Sequence, residues 1–298
     1  MKPISLVLTA VLVMACNKEP AHSQEAEAAG SAAAARTIKD GIEILAEGAQ
    51  PRKLLRYAVA KNTHSPIEIA MDMDLDAGIK NIAPTLVMVM DIGVDDVTPD
   101  GKMKLHTSIN DVSARDRPGA ASAAMLKGQL DLMTGTTMTA TLGPDGSLKD
   151  AAFESSKKMP EAMRDQLAGV TGNLDRIALP LPSVPVGVGA KWRASKSVAQ
   201  SGMNVTTVTT FEVTKIDGDV FSYKTTVSIT GPDQQVTMGG MTTQVSGIAG
   251  SGTGEGTVDL GKLAMSGTQD VHFAASMAAG DDKTELKTSM KVVMTPKS

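Results

Sequence analysis

The run Ile67-Glu68-Ile69-Ala70-Met71-Asp72-Met73-Asp74-Leu75 decides the fold class. Ile67, Ile69, Met71, Met73 and Leu75 occupy alternate positions, with Glu68, Asp72 and Asp74 between them. Successive side chains of an extended chain point to opposite faces, so a period of two describes a strand with an apolar face inward and a charged face outward. This is the signature of an antiparallel sheet covered on one side. Carboxylates two apart on a straight strand point to solvent and do not converge, so no calcium site is expected there.

The same alternation extends outward from this run. Residues 85–97 place Leu86, Met88, Met90 and Ile92 on one face, and residues 102–112 return with Met103, Leu105, Thr107 and Ile109. Between them lies Pro99-Asp100-Gly101, and an Asp-Gly between alternating runs is a strong hairpin signal. Asp145-Gly146 joins residues 138–142 to 148–153, and Asp217-Gly218 joins 205–216 to 220–230. A further strand is expected at 54–59, and the strand pattern continues to Met294.

Two stretches break the pattern. Residues 120–132 are Ala- and Leu-rich without Pro and read as a helix. Residues 154–177 read as a second helix or helix pair, with Met163, Leu167, Val170, Leu174 and Ile177 at helical spacing. The segment Leu179-Pro180-Leu181-Pro182-Ser183-Val184-Pro185 reads as an extended crossover between sheet halves. Hairpins near residues 100 and 145, echoed near 217 and 260, suggest a duplicated β unit joined by the connector at 179–189. The expected fold is mainly β: a curved antiparallel sheet, an open or half barrel, with one or two helices packed on its concave face.

Composition limits the function classes. Of 298 residues 42% are hydrophobic but only 2% aromatic, and Met is common at 19. Flexible Met side chains either fill a compact core with Val, Leu and Ile or line an adaptable cavity for a lipid-like ligand. A net charge of −4 with interspersed signs and few aromatics argues against nucleic-acid binding. Gly250, Gly252, Gly254 and Gly256 share one face of an expected strand, leaving a smooth groove for close packing or for a flat apolar ligand. Strand sequence follows them, so they do not form a nucleotide loop.

His22, His64, His106 and His272 show no paired metal spacing and read as lone surface or strand residues. No Ser sits in a Gly-x-Ser-x-Gly elbow. No catalytic residue, metal or cofactor is expected, and the chain reads as a non-enzyme.

The N-terminus carries a targeting signal. Lys2 precedes an apolar run, Ile4 to Met14, which is too short to span a bilayer and fits a secretory signal. It ends Val13-Met14-Ala15-Cys16, which resembles the lipobox of bacterial lipoproteins, although Met14 stands where a smaller residue is usual. The resemblance implies cleavage after residue 15, a thioether-linked diacylglycerol on Cys16 and acylation, with palmitate-type chains, of the freed amine. Each buried CH₂ contributes roughly 0.8 kcal/mol, and stable anchoring takes more than one chain. Cys16 is the one cysteine, so no intrachain disulfide forms. Residues 16–40 are the lipidated Cys and an Ala-, Glu- and Ser-rich tether, and 41–298 a single β-rich domain. Asn17, rather than the Asp that retains lipoproteins at the inner membrane, favours the outer membrane of the envelope.

The stretch Leu181-Pro182-Ser183-Val184-Pro185-Val186-Gly187-Val188-Gly189-Ala190-Lys191-Trp192 resembles a segment of a family of uncharacterised bacterial lipoproteins, in which it opens the second half of a β-rich domain. The layout also looks like the open β-barrel of lipoprotein carriers and mycobacterial lipid-transfer lipoproteins, which hold acyl chains between sheet and helices. These resemblances imply a membrane-anchored envelope lipoprotein binding an apolar or lipid-like ligand between sheet and helices. The alternative is a structural or protein-interaction lipoprotein with no small-molecule ligand.

Overall fold

The computed structural model describes residues 41–155, 178–200, 203–238, 241–279 and 282–297, two thirds of them in strands. The strands are β1 (Ile42–Ala46), β2 (His64–Asp76), β3 (Lys80–Ile82), β4 (Thr85–Val97), β5 (Met103–Arg115), β6 (Thr136–Leu142) and β7 (Leu148–Ser155). The second half of the chain adds β8 (Lys191–Gln200), β9 (Met203–Asp217), β10 (Val220–Thr230), β11 (Gln234–Met238), β12 (Met241–Asp259), β13 (Ala264–Ala279) and β14 (Asp282–Pro296). All belong to one antiparallel sheet in the order β1-β8-β9-β10-β12-β13-β14-β2-β4-β5-β6-β7, with β11 on β12 and β3 on β2. The sheet is not closed into a barrel.

Its curvature follows from the core. β8 and β6 stand nine steps apart in the strand order, which would be roughly 40 Å on a flat sheet at ~4.8 Å per strand. Yet Trp192 of β8, Phe211 of β9 and Tyr223 of β10 share one apolar cluster with Met103 of β5 and Leu142 of β6. The two wings therefore face each other across a common interior. The Asp-Gly hairpins fall where expected, with Gly101, Gly146 and Gly218 all at positive φ.

Three expectations need correction. Residues 54–59 form no strand, although their alternation is real: Leu55, Tyr57 and Val59 are buried while Leu54 and Ala58 are exposed. The segment runs extended between the wings, with the Tyr57 N–H donating to Pro144 O (2.9 Å) and the Ala58 N–H to Leu260 O (3.0 Å). It thus ties the β6–β7 turn to the β12–β13 turn without joining a ladder. The short strand β1 was not foreseen.

The helix expected at 120–132 is reduced to a 3-10 turn, Ala123–Leu126, followed by α1, Lys127–Leu130. Ser122 and Leu126, at the two N-cap positions, make no side-chain cap, although the Asp116 carboxylate accepts the Ala123 N–H (2.8 Å), and a helix this short is held by tertiary contact rather than propensity. Leu130 and Leu126 supply that contact by packing on the core. Residues 154 and 155, expected to open a second helix, instead end β7. The remainder of that expected helix lies outside the described residues.

The described part of the connector is extended, as expected. Its carbonyls and amides are used: Pro180 O accepts from the Trp192 indole N–H (2.9 Å), Pro182 O accepts from Arg56 (2.8 Å), and the Leu181 N–H donates to Asp145 O (2.9 Å). Leu181 and Val186 of the connector, and Ala190 and Trp192 just after it, are buried.

Candidate functional site

Rows of paired residues cross the inner face of the sheet. One runs Tyr223, Gly256, Gly267, Met294, Ile69, Met88 from β10 to β4. The next runs Thr225, Gly254, Gln269, Val292, Met71, Leu86, and a third Val227, Gly252, Val271, Met290, Met73. Gly250, Gly252, Gly254 and Gly256 therefore do share one face of β12, and it is the face that looks into the interior.

Their groove is occupied. A Cβ on Gly256 would lie 2.8 Å from the Tyr223 hydroxyl, one on Gly254 2.7 Å from Thr225 Oγ1, and one on Gly252 2.9 Å from Val271 Cγ2. Neighbouring side chains fold down over the glycines, which is a packing use of the missing Cβ atoms. Burial there pushes the Tyr223 phenol above its ordinary range. The apolar surface still partly open lies alongside, on β2 and β14. Met71, Met73, Leu75, Met290 and Val292 are half-buried, and the surface continues into the packed Ile69, Met88 and Met294.

The outer face of the same strands is polar. Glu68 pairs with Lys297 (2.9 Å) and Arg115 (3.1 Å), whose cations hold its carboxyl below the usual range. Asp74 and Asp72 both reach Arg117, at 3.0 and 3.6 Å. Arg117 thus pairs with two carboxylates of one strand face. Further along, an open depression of about 550 Å³ is lined by Asp74, Asp76 and His272 together with Leu75, Gly250 and Phe273, among others.

A second outer-face constellation escaped the sequence reading. His64 opens β2, Gly93 lies opposite it on β4, and His106 lies opposite Gly93 on β5. The imidazoles meet edge to face at 5.6 Å. His64 Nδ1 lies 2.7 Å from Asp91 Oδ2, and His106 Nδ1 lies 2.5 Å from Asp95 Oδ1. Asp91 Oδ1 is buried with no hydrogen-bond partner. The only sequence signal was the Asp100-Gly101 turn. Counting outward from the Val97–Met103 pair sets His106 against Val94; the bulge between Val94 and Asp96 moves it to Gly93.

Cys16, the expected lipidation site, lies outside the described residues. Among the described residues no helix is long and apolar enough to cross a membrane. No protein-family model matches the chain, and comparison with curated proteins gives no match.

Proposed function

We propose that this chain is a lipid-anchored envelope protein, tethered through Cys16, whose β-rich body holds an apolar or lipid-like ligand against its inner face. The observation that carries the reading is the half-buried surface of Met71, Met73, Leu75, Met290 and Val292, continuous with the core on one side and with the glycine-lined part of β12 and β13 on the other. Completing the burial of such side chains contributes about 25 cal/mol per Å² of apolar area removed from water. Methionine suits an acyl chain because its flexible thioether adapts to an irregular partner.

A fluorescent long-chain fatty acid is the direct probe. It should brighten with the wild-type chain, fail to do so with Met73→Lys, and brighten normally with Thr253→Lys on the opposite face. Equal brightening with both variants would remove the inner face from the account. The anchor is tested separately: Cys16→Ser should move the protein out of the membrane fraction, and unchanged retention would contradict it.

A second reading rests on a different observation. The turn end of the interior is filled by Trp192, Tyr57, Phe221 and Leu55, all at most 2% exposed. A body so packed also serves as a rigid scaffold for a protein partner, and in that case the probe would not bind wild type.

A further inference from the structure

We propose that His64, His106 and Asp91 form a binding site for a first-row divalent ion that favours imidazole, Zn²⁺ or Cu²⁺. The site stands on the outer face, independent of the apolar inner surface. One ligand atom from each of the three residues falls within 4.8 Å of the others. Donors about 2.0–2.1 Å from a tetrahedral Zn²⁺ lie roughly 3.4 Å apart, so about an ångström of side-chain adjustment gathers them. The His64 side chain, 56% exposed, is free to make it.

Three features fit a ligand set better than a chance meeting of polar side chains. Asp91 Oδ1 faces no donor although it is buried, and a cation satisfies it. Asp95 engages His106 through Nδ1 at 2.5 Å; a carboxylate on that nitrogen leaves Nε2 as the lone-pair donor and orients the ring, as outer-shell carboxylates do for metal-bound histidines. Gly93 makes room for that ring, since a Cβ there would lie 2.1 Å from His106 Cε1 and 2.5 Å from Nε2. The ligating edge of His106 therefore lies over Gly93, the residue directly between the two histidine strands.

The donor set also defines the ion. Two imidazoles and one carboxylate suit Zn²⁺ or Cu²⁺, whereas Ca²⁺ and Mg²⁺ require more oxygen donors. Three protein ligands leave a position for water or an external ligand.

Calorimetric titration of the full mature chain with Zn²⁺ and with Cu²⁺ tests the site. Both arms carry Cys16→Ser to remove the one thiol. The parent should bind one equivalent that His64→Ala/His106→Ala lacks, and Asp95→Asn, which touches no ligand atom, should weaken binding by about 10–100-fold. Ca²⁺ should give no saturable heat. Circular dichroism of each variant should match the parent, because these side chains lie on the outer face. The same affinity in the double variant, or no saturable uptake of either ion by the folded parent up to millimolar concentration, would overturn the assignment.

Discussion

Trp192, the one tryptophan of the chain, shows how a single residue joins the two wings. It is fully buried, stacks on Phe211 with ring centroids 5.3 Å apart, and gives its indole N–H to the Pro180 carbonyl. Trp192→Ala should cost about 3–5 kcal/mol through the cavity it leaves. Trp192→Phe keeps most of the ring but strands the carbonyl, for about 1–3 kcal/mol. Urea denaturation followed by circular dichroism measures both; unchanged stability in Trp192→Phe would mean that the hydrogen bond contributes nothing, and equal losses that the ring packing contributes nothing. The segment at 181–192 thus has a structural reason. Its Trp, its buried Val186 and Ala190, and Gly187, where a Cβ would fall 1.8 Å from Ala49 O, fix the connector against the sheet.

Asp100, in the first Asp-Gly turn, supplies a pH signature. A hydrogen-bonded Lys102 ammonium and the Thr98 hydroxyl hold its carboxyl down to about 2 from an ordinary 3.8. A carboxyl depressed by folding adds stability above its unfolded value, and that stability is lost as pH falls from 3.8 through about 2. Carboxyl NMR of the folded chain should place the midpoint near 2, and Lys102→Ala should raise it. An unchanged midpoint would show that Lys102 is not the cause.

At the scale of elements, what was legible in the sequence was what is local. The hairpins at the Asp-Gly turns could be read because alternation and turn chemistry lie within one stretch of chain, whereas the turns joining β8 to β9 and β13 to β14 carry no such dipeptide. The segment at 54–59 shows the limit. Alternation reports which side of an extended chain is buried, not whether a neighbouring strand pairs with it, and Leu55, Tyr57 and Val59 alternate into a core with no ladder beside them. Five-residue β1 was missed because so short an edge strand carries too few positions for a period to show. The His64–His106 contact was illegible for a third reason: a one-residue bulge decides which residue faces which, and no sequence signal marks it.

The extended segment itself gives a contrast. Tyr57→Ala should cost about 3–5 kcal/mol, since the ring is 2% exposed and its hydroxyl accepts the Leu179 N–H at 2.9 Å. Leu54→Ala, three residues earlier and 43% exposed, should stay within about 0.5 kcal/mol. Equilibrium unfolding of the two variants checks the pair; similar losses would mean that the segment does not sit between the wings as described.

Over the whole molecule, one sheet separates two environments. Its inner face passes from an aromatic core at the turn end to a half-buried methionine surface on β2 and β14, while its outer face carries paired charges and the histidine cluster. The sequence predicted the two-faced strand. It did not show that the interior would be divided, because a divided interior depends on which distant strands curl to face each other.

Native mass spectrometry of the protein, gently purified from its own cell, tests the proposed ligand most directly. The account predicts a body that carries a releasable lipid-sized mass, absent from the Met73→Lys variant prepared in the same way. A wild-type chain that carries nothing beyond its covalent mass to lose on collisional activation would contradict it.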